Sequence, residues 1–245
     1  MLNSQHNFAE PIKISDHGIC RIKDLGCMEY RRVYALQKQA VEEVLAGAPP
    51  VIFFCEHPVV LTLGRLADRR HILTPLEELR AKGIDVADID RGGEVTLHAP
   101  GQLVVYPILN LKDYGQDLKQ YLHRLEQVAI DFLKEFDILA DRISGRTGAW
   151  VGSKKIASIG IGVRKWISFH GLAVNIHTDL NLFRLIRPCG LDVQMTSVAD
   201  IQKQTIDMRK AKEVMAGIIQ REFGFEMMGD RKEIHNETSC SPRIG

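Results

Sequence analysis

A cysteine between a proline and a glycine is the first candidate for chemistry in this chain. Cys189 stands in the sequence Arg-Pro-Cys-Gly at positions 187–190, after two apolar runs. Proline fixes the backbone and glycine frees it, so this thiol belongs to a shaped turn rather than to a packed core. It is a candidate nucleophile if a neighbouring group favours the thiolate. The other cysteines are expected to be small apolar side chains: Cys20, Cys27, Cys55 and Cys240.

Two adjacent lysines open an apolar, glycine-rich run and offer such a neighbouring group. Lys154 and Lys155 stand at the start of the sequence KKIASIGIGV. Strand alternation puts Lys155 on the face of Ala157 and Ile159, and Lys154 on the opposite face. Only one of the two lysines can therefore enter a given pocket. A pair of solvated lysines at a sheet edge is the alternative interpretation.

A third candidate is the glycine-rich stretch from Arg91 to Gln102, which lies between two predicted strands. Its glycines would let a ligand approach the backbone closely. The alternative is a tight surface connection with Arg91 and His98 in solvent. His98 and Cys189 are also candidates for a Cys–His nucleophile pair, although the sequence gives no distance between them. Neither the G-x-x-x-x-G-K-[ST] nor the G-x-G-x-x-G phosphate fingerprint occurs.

The composition is that of an ordinary globular domain. The 245 residues are 45% apolar and 26% charged, with a formal net charge of +1, so no global field favours nucleic acid or an anionic membrane. No apolar run approaches the roughly 20 residues that span a bilayer. The first residues lack a secretory signal, which predicts a cytoplasmic protein. The five cysteines contain no C-x-x-C pair, so we expect no metal site, and any functional thiols to be used singly. A chain of this length does not need disulfides to fold.

Strand and helix patterns alternate along the chain, with several strands adjacent. This order predicts a mixed sheet with flanking helices, in one catalytic domain over residues 1–227 followed by a polar tail at 228–245. The short helix near Pro75 is expected to begin with a capping box at Thr74. Helices are predicted at 28–47, 75–83, 116–136 and 206–223, and strands at 51–55, 59–63, 84–89, 102–110, 155–163 and 169–176.

Three of these pieces, in this order, resemble the octanoyltransferases, also called the lipoyl-protein ligase B family. They are RGGEVTLHAPGQ at 91–102, KIASIGIGV with FHGLAVNI at 155–176, and Pro-Cys-Gly at 188–190. His57-Pro58-Val59, Leu63-Gly64-Arg65 and Thr196-Ser197 add to the match, which runs from about residue 30 to 220. The chain departs from the family pattern at Leu97 and Ala99, where the family has Tyr and Gly.

The resemblance implies a fold of the α+β class shared with the catalytic domains of biotin and lipoate ligases. It implies transfer of an octanoyl group from acyl carrier protein to a lysine of a lipoyl domain, through a thioester on Cys189. Lys155 takes the role of the family lysine because it directly precedes Ile-Ala. The implied acyl-binding residues are Arg91, Gly92, Gly93, Glu94, Val95, Thr96, Leu97, His98, Ser158, Ile159, Gly160, Gly171, Leu172 and Ala173.

The acceptors implied are the lipoyl domains of 2-oxoacid dehydrogenase complexes and the H protein of glycine cleavage. Neither a cofactor nor ATP is expected, and the protein is expected to be a monomer. Three alternatives stay open: an ATP-dependent lipoate ligase of the same fold, a hydrolase that releases octanoate, and a silent module that binds lipoyl domains. An acidic carrier would need a basic surface, for which the composition offers Arg69, Arg70, Arg164 and Lys165.

Overall fold

An eight-stranded mixed sheet forms the centre of the molecule in the computed structural model, which describes residues 18–187, 193–228 and 240. The strands follow the order β11-β1-β2-β6-β10-β9-β8-β7 across the sheet. β1 runs parallel to β2 and β11, and the remaining pairs are antiparallel. The strand bounds are Ile19–Cys27 (β1), Val51–Glu56 (β2), Gln102–Ile108 (β6), Asp141–Ile143 (β7), Arg146–Val151 (β8), Lys154–Arg164 (β9), Ile167–Asn175 (β10) and Glu226–Met228 (β11).

A second, three-stranded sheet lies beside the first. It consists of β3 (Val60–Leu63) between β4 (Asp85–Asp88) and β5 (Val95–His98). β3 pairs antiparallel with β5, so that Thr62 lies opposite Thr96 and Val60 opposite His98. A cluster of buried aliphatic side chains, together with Phe183, packs under this sheet. The sheet holds the end of β5 against the central sheet.

The described part of the chain contains five α-helices that pack on these sheets: α1 (Tyr30–Leu45), α2 (Leu76–Ala81), α3 (Leu118–Lys134), α4 (Val198–Gln202) and α5 (Met208–Phe223). α1 packs against β10 and β6 on one face, whereas α3 packs against β8, β9 and β10. Asp117 caps α3 by accepting hydrogen bonds from the main chain of Lys119 and Gln120. Each long helix presents one apolar stripe to the sheet, so the sheet has a separate hydrophobic core on each side.

The predicted mixed sheet with flanking helices is confirmed, and the predicted helices and strands are all present with shifted ends. Five strands occur where no strand was predicted: β1, β5, β7, β8 and β11. β5 lies inside the stretch that was treated as a loop. It forms a strand there because Val95 and Leu97 alternate with Thr96 and are buried on one face. The capping box at Thr74 is absent, since Pro75 is the cap residue of α2 and no side chain caps the helix.

The predicted boundary of the tail falls within a strand. Met228 pairs with Arg21 as the last residue of β11, so the sheet includes the first residue of the predicted tail. Among the described residues no helix is long and apolar enough to span a membrane. The division into a domain at 1–227 and a tail at 228–245 otherwise stays a prediction.

The cysteines correct one expectation. Cys27 and Cys240 are joined in a disulfide across a sequence separation of 213 residues, with Cα atoms 5.2 Å apart. The expectation that thiols are used singly is therefore wrong, and spacing alone gives no sign of a pair so distant in sequence. Cys20 and Cys55 are buried free thiols, as expected. Cys189 lies outside the described residues.

Candidate active site

A cavity of about 360 Å³ opens between β8, β9, β10 and the stretch that leads into β5. Every predicted acyl-binding residue except Leu97 lines it, and so does Lys155. Strand alternation explains the exception, because the side chain of Leu97 points away from those of Thr96 and His98 into the core beneath the second sheet. The structure thus places Leu97 behind the cavity wall rather than in it.

Glycines of β9 and β10 line one wall of the cavity. Gly171 of β10 pairs with Gly160 of β9, and the next pair on the same face of the sheet is Ala173 with Ser158. A Cβ atom on Gly171 would lie 2.2 Å from the carbonyl oxygen of Val105, which is far inside contact distance. Larger residues are therefore excluded at Gly171 by the packing of β10 against β6. The small side chains along both strands leave a slot in which an extended chain can lie.

Arg91 fixes the stretch that covers this slot. Its guanidinium is buried and donates to the carbonyl oxygen of Thr62 at 2.7 Å and to the Thr62 hydroxyl at 2.9 Å. The main-chain nitrogen of Gly92 donates to the carbonyl oxygen of Ile161 at 2.8 Å. These bonds tie the glycine-rich stretch to both sheets. The interpretation of Arg91 as a solvated surface residue is therefore wrong.

Lys155 is the one lysine that lines the cavity among the described residues. It is only 4% exposed, and its Nζ lies 5.4 Å from the centre of the Trp150 ring. Lys154 is exposed and points the other way, as strand alternation predicts. The main chain of Lys155 donates to Gln194 O at 2.8 Å and accepts from Thr196 N at 2.9 Å. The chain that follows Cys189 is thus hydrogen-bonded directly to Lys155.

Gly148 makes room for the Lys155 side chain. Its φ is +129°, and a Cβ atom there would lie 2.7 Å from Lys155 Cε and 2.4 Å from the carbonyl oxygen of Ala157. The Gly148 main-chain nitrogen donates to the Glu126 carboxylate at 3.1 Å, which anchors this part of β8 to α3. The position of the Lys155 amine therefore depends on the absence of a Cβ atom at Gly148 on the neighbouring strand.

We expect Gly148→Ala to lower the rate of any reaction that uses the Lys155 amine by about 10²-fold, the effect of a shift of about 1 Å in a reacting group. Gly152→Ala is the matched control, because Gly152 has a φ of +58° and nothing within 4 Å of its added Cβ atom. Both variants carry backbone strain, but only the first displaces Lys155. Equal rates for the two variants would contradict this role of Gly148.

A cluster of histidines and tyrosines closes the far end of the cavity. Tyr30, Tyr106, His98 and His170 line it, and the Tyr30 ring stacks on His98 with centroids 5.9 Å apart. The Tyr30 hydroxyl lies 3.4 Å from Nδ1 of His170, whose Nε2 contacts the Asp90 carboxylate at 3.0 Å. Sequence reasoning missed both tyrosines, because they come from α1 and β6 and share no motif with the rest of the site.

His98 is bound in a chain of hydrogen bonds that leads to the segment after Cys189. Its Nδ1 donates to Gln102 Oε1 at 2.7 Å, Gln102 donates to Asn175 Oδ1 at 2.9 Å, and Asn175 donates to the carbonyl oxygen of Thr196 at 2.9 Å. Burial, with a smaller effect from His57, lowers the pKa of His98 to about 3. His98 is therefore neutral at pH 7 and orients its neighbours.

His57 is also satisfied by hydrogen bonds, as expected for a turn residue. Its Nδ1 donates to the Met28 carbonyl oxygen at 2.7 Å, and its Nε2 accepts from the Tyr106 hydroxyl at 2.8 Å. Burial lowers the pKa of His57 to about 4, although the bond to Met28 opposes the shift. His57 thus stays neutral beside His98, with ring centroids 5.5 Å apart.

Lowering the pH from 7 to 5 is expected to destabilise the fold through His57 and His98. An unfolded histidine has a pKa of about 6.5, so below that pH the unfolded chain binds more protons than the folded one. The stability tied to these groups is complete above pH 6.5 and falls by about 2.7 kcal/mol per pH unit near pH 5 if two protons are taken up. Urea unfolding at pH 7, 6 and 5 measures the slope, and a free energy independent of pH would contradict it.

The two buried free thiols are unsuited to nucleophilic chemistry. Burial raises the pKa of Cys20 to about 12 and raises the pKa of Cys55 well above its usual range. Both thiols therefore stay protonated at neutral pH. With Cys27 and Cys240 in a disulfide, Cys189 is the remaining candidate nucleophile among the cysteines.

Comparisons with known proteins agree on one family. The model of the lipoyl protein ligase A/B catalytic domain matches residues 29–220. An octanoyltransferase of Syntrophotalea carbinolica is 45% identical over 193 residues, which are 78% of this chain and 88% of the relative. An octanoyltransferase of Geobacter metallireducens is 41% identical over 198 residues, which are 80% of this chain and 90% of the relative.

Solved structures confirm the predicted fold. A bipartite lipoate protein ligase from Thermoplasma acidophilum superposes with a TM-score of 0.67 at 16% identity, covering 89% of this chain and 90% of that one. A biotin protein ligase from Aquifex aeolicus superposes with a TM-score of 0.51 at 13% identity, covering 84% of this chain and 70% of that one. At these identities the likeness shows the fold alone.

Proposed function

The chain belongs to the lipoyl protein ligase A/B catalytic-domain family, and we propose that it is an octanoyltransferase that forms a thioester on Cys189. Two relatives of 41% and 45% identity are named octanoyltransferases. The observation that carries the proposal is the joining of three features in one cavity. A glycine-lined slot, a buried lysine and the chain segment next to Cys189 meet there.

Lys155 supplies what a thiol needs at neutral pH. A free cysteine has a pKa of about 8.5, so only a few per cent is thiolate at pH 7. An ammonium about 4 Å from the sulfur stabilises the thiolate by up to roughly 4 kcal/mol at an effective dielectric constant of 20. Half of that effect would leave about half of the Cys189 thiol ionised at pH 7. Lys155 is buried and hydrogen-bonded to Gln194 and Thr196, which follow Cys189 in the chain, and this supports the assignment.

The first half-reaction moves the acyl group from the donor thiol to Cys189. The Cys189 thiolate attacks the carbonyl carbon of the donor thioester, the new carbon–sulfur bond forms, and the bond to the donor sulfur breaks. Lys155 gives its proton to the departing donor thiolate and becomes neutral. One thioester replaces another, so the step is nearly balanced in free energy and needs no ATP.

The second half-reaction makes an amide. The amine of the acceptor lysine attacks the Cys189 thioester, and neutral Lys155 accepts the proton that this amine loses. The carbon–sulfur bond breaks, Cys189 leaves as the thiolate, and Lys155 is again an ammonium beside it. Both groups return to their starting states, and amide formation from a thioester drives the reaction.

The cavity suits a saturated acyl chain of medium length. Its volume of about 360 Å³ lies at the small end of ligand pockets. Gly160, Gly171 and Ala173 line the slot, and Tyr30 closes one end. The slot crosses β9, β10 and β6, and neighbouring strands are about 4.8 Å apart. We place the thioester at the Lys155 end and the methyl end of the octanoyl chain at Tyr30.

We assign octanoyl acyl carrier protein as the donor and the lipoyl domains of 2-oxoacid dehydrogenases and of the glycine cleavage H protein as acceptors. A lipoyl domain is the partner named with the T. acidophilum ligase that shares this fold. We also propose that the protein is a monomer. We place it in the cytoplasm, because these substrates are made and used there. The thiols of the cytoplasm would reduce the Cys27–Cys240 disulfide.

The decisive experiment measures transfer with and without ATP. The protein is incubated with an octanoyl carrier protein and a lipoyl domain, and the mass of the domain is followed. We expect the domain to gain one octanoyl group without ATP. Transfer only from free octanoate and ATP would move the protein to the ligases of this fold. Release of octanoate to water, or binding without turnover, would contradict the proposal in favour of a hydrolase or a binding module.

A further inference from the structure

A second concavity, the basic groove, lies next to the acyl cavity and has no role in the chemistry above. Its volume is about 470 Å³, and Lys154, Arg184 and Arg187 line it together with Asn181. Val193 lines both the groove and the cavity. The two spaces therefore meet at Val193, four positions after Cys189 in the sequence.

Main-chain hydrogen bonds hold both walls of the basic groove. On one wall, Leu73 N donates to Leu185 O at 2.8 Å and Arg187 N donates to His71 O at 2.7 Å. On the other wall, Lys155 N donates to Gln194 O at 2.8 Å. The cationic side chains thus project from fixed backbone, and the groove exists before a ligand arrives.

The charge of the basic groove favours an anion. Lys154 and Arg184 are exposed, and neither forms an ion pair with any carboxylate in the part of the chain that the structure describes. The charge of Lys154 acts on Asp200, but that carboxylate is already bound to Lys203 at 3.1 Å and to the Thr196 hydroxyl at 3.1 Å. The groove therefore keeps an excess of positive charge.

Three of the four basic residues suggested by composition differ from those of the groove in this respect. Arg69 forms an ion pair with Asp88, Arg70 with Asp68, and Arg164 with Glu42. Their charges are largely neutralised by these neighbours. Lys154 and Arg184 carry no such partner among the described residues, and they lie beside the acyl cavity.

We propose that the basic groove binds the phosphate of the arm that carries the acyl thioester of the donor. Thioester donors of this kind end in a pantetheine arm with a phosphate at its far end, so the thioester and the phosphate lie apart by the length of the arm. Lys154 and Lys155 are neighbours on β9 with Cα atoms about 3.8 Å apart, and their side chains leave in opposite directions. An arm that lies along Val193 would have its thioester end at Lys155 in the acyl cavity and its phosphate end at Lys154 in the basic groove.

The charge also favours the donor over the acceptor in this groove. The acceptor presents a lysine, whose ammonium Lys154 and Arg184 would repel. A phosphate carries the opposite charge and takes hydrogen bonds from both guanidinium and ammonium groups. This assignment rests on the proposed function, because it takes the donor to be an acyl thioester.

The test compares three octanoyl donors: the carrier protein, coenzyme A, and N-acetylcysteamine, which has no phosphate. The double variant Lys154→Glu/Arg184→Glu is compared with Lys134→Glu/Lys210→Glu, which reverses two exposed charges on α3 and α5. The rate of acyl-enzyme formation is measured at low donor concentration by intact mass. We expect the groove variant to lose about tenfold or more with both phosphate-bearing donors and nothing with the third, and the loss to shrink in high salt.

Several results would overturn the assignment. Equal loss with all three donors would mean that the groove residues act on folding or on the reaction itself. Loss with the carrier protein alone would mean that the groove reads a protein surface. No loss with either phosphate-bearing donor would exclude phosphate binding in the groove.

Binding of free coenzyme A by calorimetry keeps this test separate from the proposed function. If no donor acylates the natural protein, the proposed function fails, but the groove is still tested by this binding. We expect coenzyme A to bind the natural protein and the Lys134→Glu/Lys210→Glu variant alike, and the groove variant at least tenfold more weakly. Equal binding to all three proteins would overturn the assignment.

Discussion

Lys155→Ala is expected to slow acylation of Cys189 by about 10²- to 10⁴-fold, the range for loss of a positioned acid–base group. Two effects contribute. The thiolate loses the ammonium that stabilises it, and the departing donor thiol loses its proton source. The variant also frees space beside Trp150, but the strands around it are held by main-chain bonds that alanine keeps. The rate is read by intact mass with an octanoyl thioester.

Lys155→Arg separates the two effects. Arginine keeps the positive charge and does not give up its proton at neutral pH. We expect Cys189 of this variant to react with iodoacetamide at a pH close to that of the natural protein, while acyl transfer stays slow. Lys155→Ala should instead shift the alkylation profile of Cys189 to higher pH. Lys134→Ala, an exposed helix lysine, is the control for both. Normal acyl transfer by Lys155→Ala would remove the lysine from the mechanism.

Lys212→Met is expected to destabilise the fold by about 3–5 kcal/mol, because it leaves a buried carboxylate without its partner. Lys212 Nζ lies 2.9 and 2.7 Å from the two oxygens of Asp24, and the side chains are 6% and 1% exposed. This pair joins α5 to β1, and the Gly26 main chain also donates to Asp24 at 2.9 Å. The free energy of unfolding in urea measures the effect.

A second substitution shows that the loss comes from the unpaired charge. Asp24→Asn in the Lys212→Met background removes the charge and keeps an acceptor for the Gly26 nitrogen. We expect the double variant to recover more than half of the lost free energy. Lys82→Ala, which breaks the exposed pair with Glu78, should cost about 0–1 kcal/mol. A Lys212→Met protein as stable as the Lys82→Ala protein would contradict a structural role for the buried pair.

Helices and strands with strong periodicity could be predicted from the sequence, and their spatial neighbours could not. α3 shows an apolar stripe with Asp117 as its cap, and the strands β9 and β10 are rich in apolar residues and glycine. β8 lacks such a run because its first residues are exposed and Gly148 interrupts it. β11 has three residues and is defined only by its pairing with β1. Pairing across the chain leaves no local signal.

The candidate site was predictable where one motif carries its residues. The glycine-rich stretch, the β9 glycines and Lys155 each belong to a motif, and the structure brings them to one cavity. Tyr30 and Tyr106 reach the same cavity from separate elements, so their presence depends on the packing of α1 over β6. The basic groove could not be predicted from the sequence for the same reason, since Lys154 and Arg184 are thirty positions apart in sequence.

The most direct test of the central claim is the intact mass of the protein after incubation with an octanoyl donor in the absence of ATP. We expect a gain of one octanoyl group on the natural protein, mapped to Cys189 by peptide sequencing, and its loss when a lipoyl domain is added. Cys189→Ala should show no adduct. An adduct that survives Cys189→Ala, or transfer to the domain without any adduct, would contradict the covalent route through Cys189.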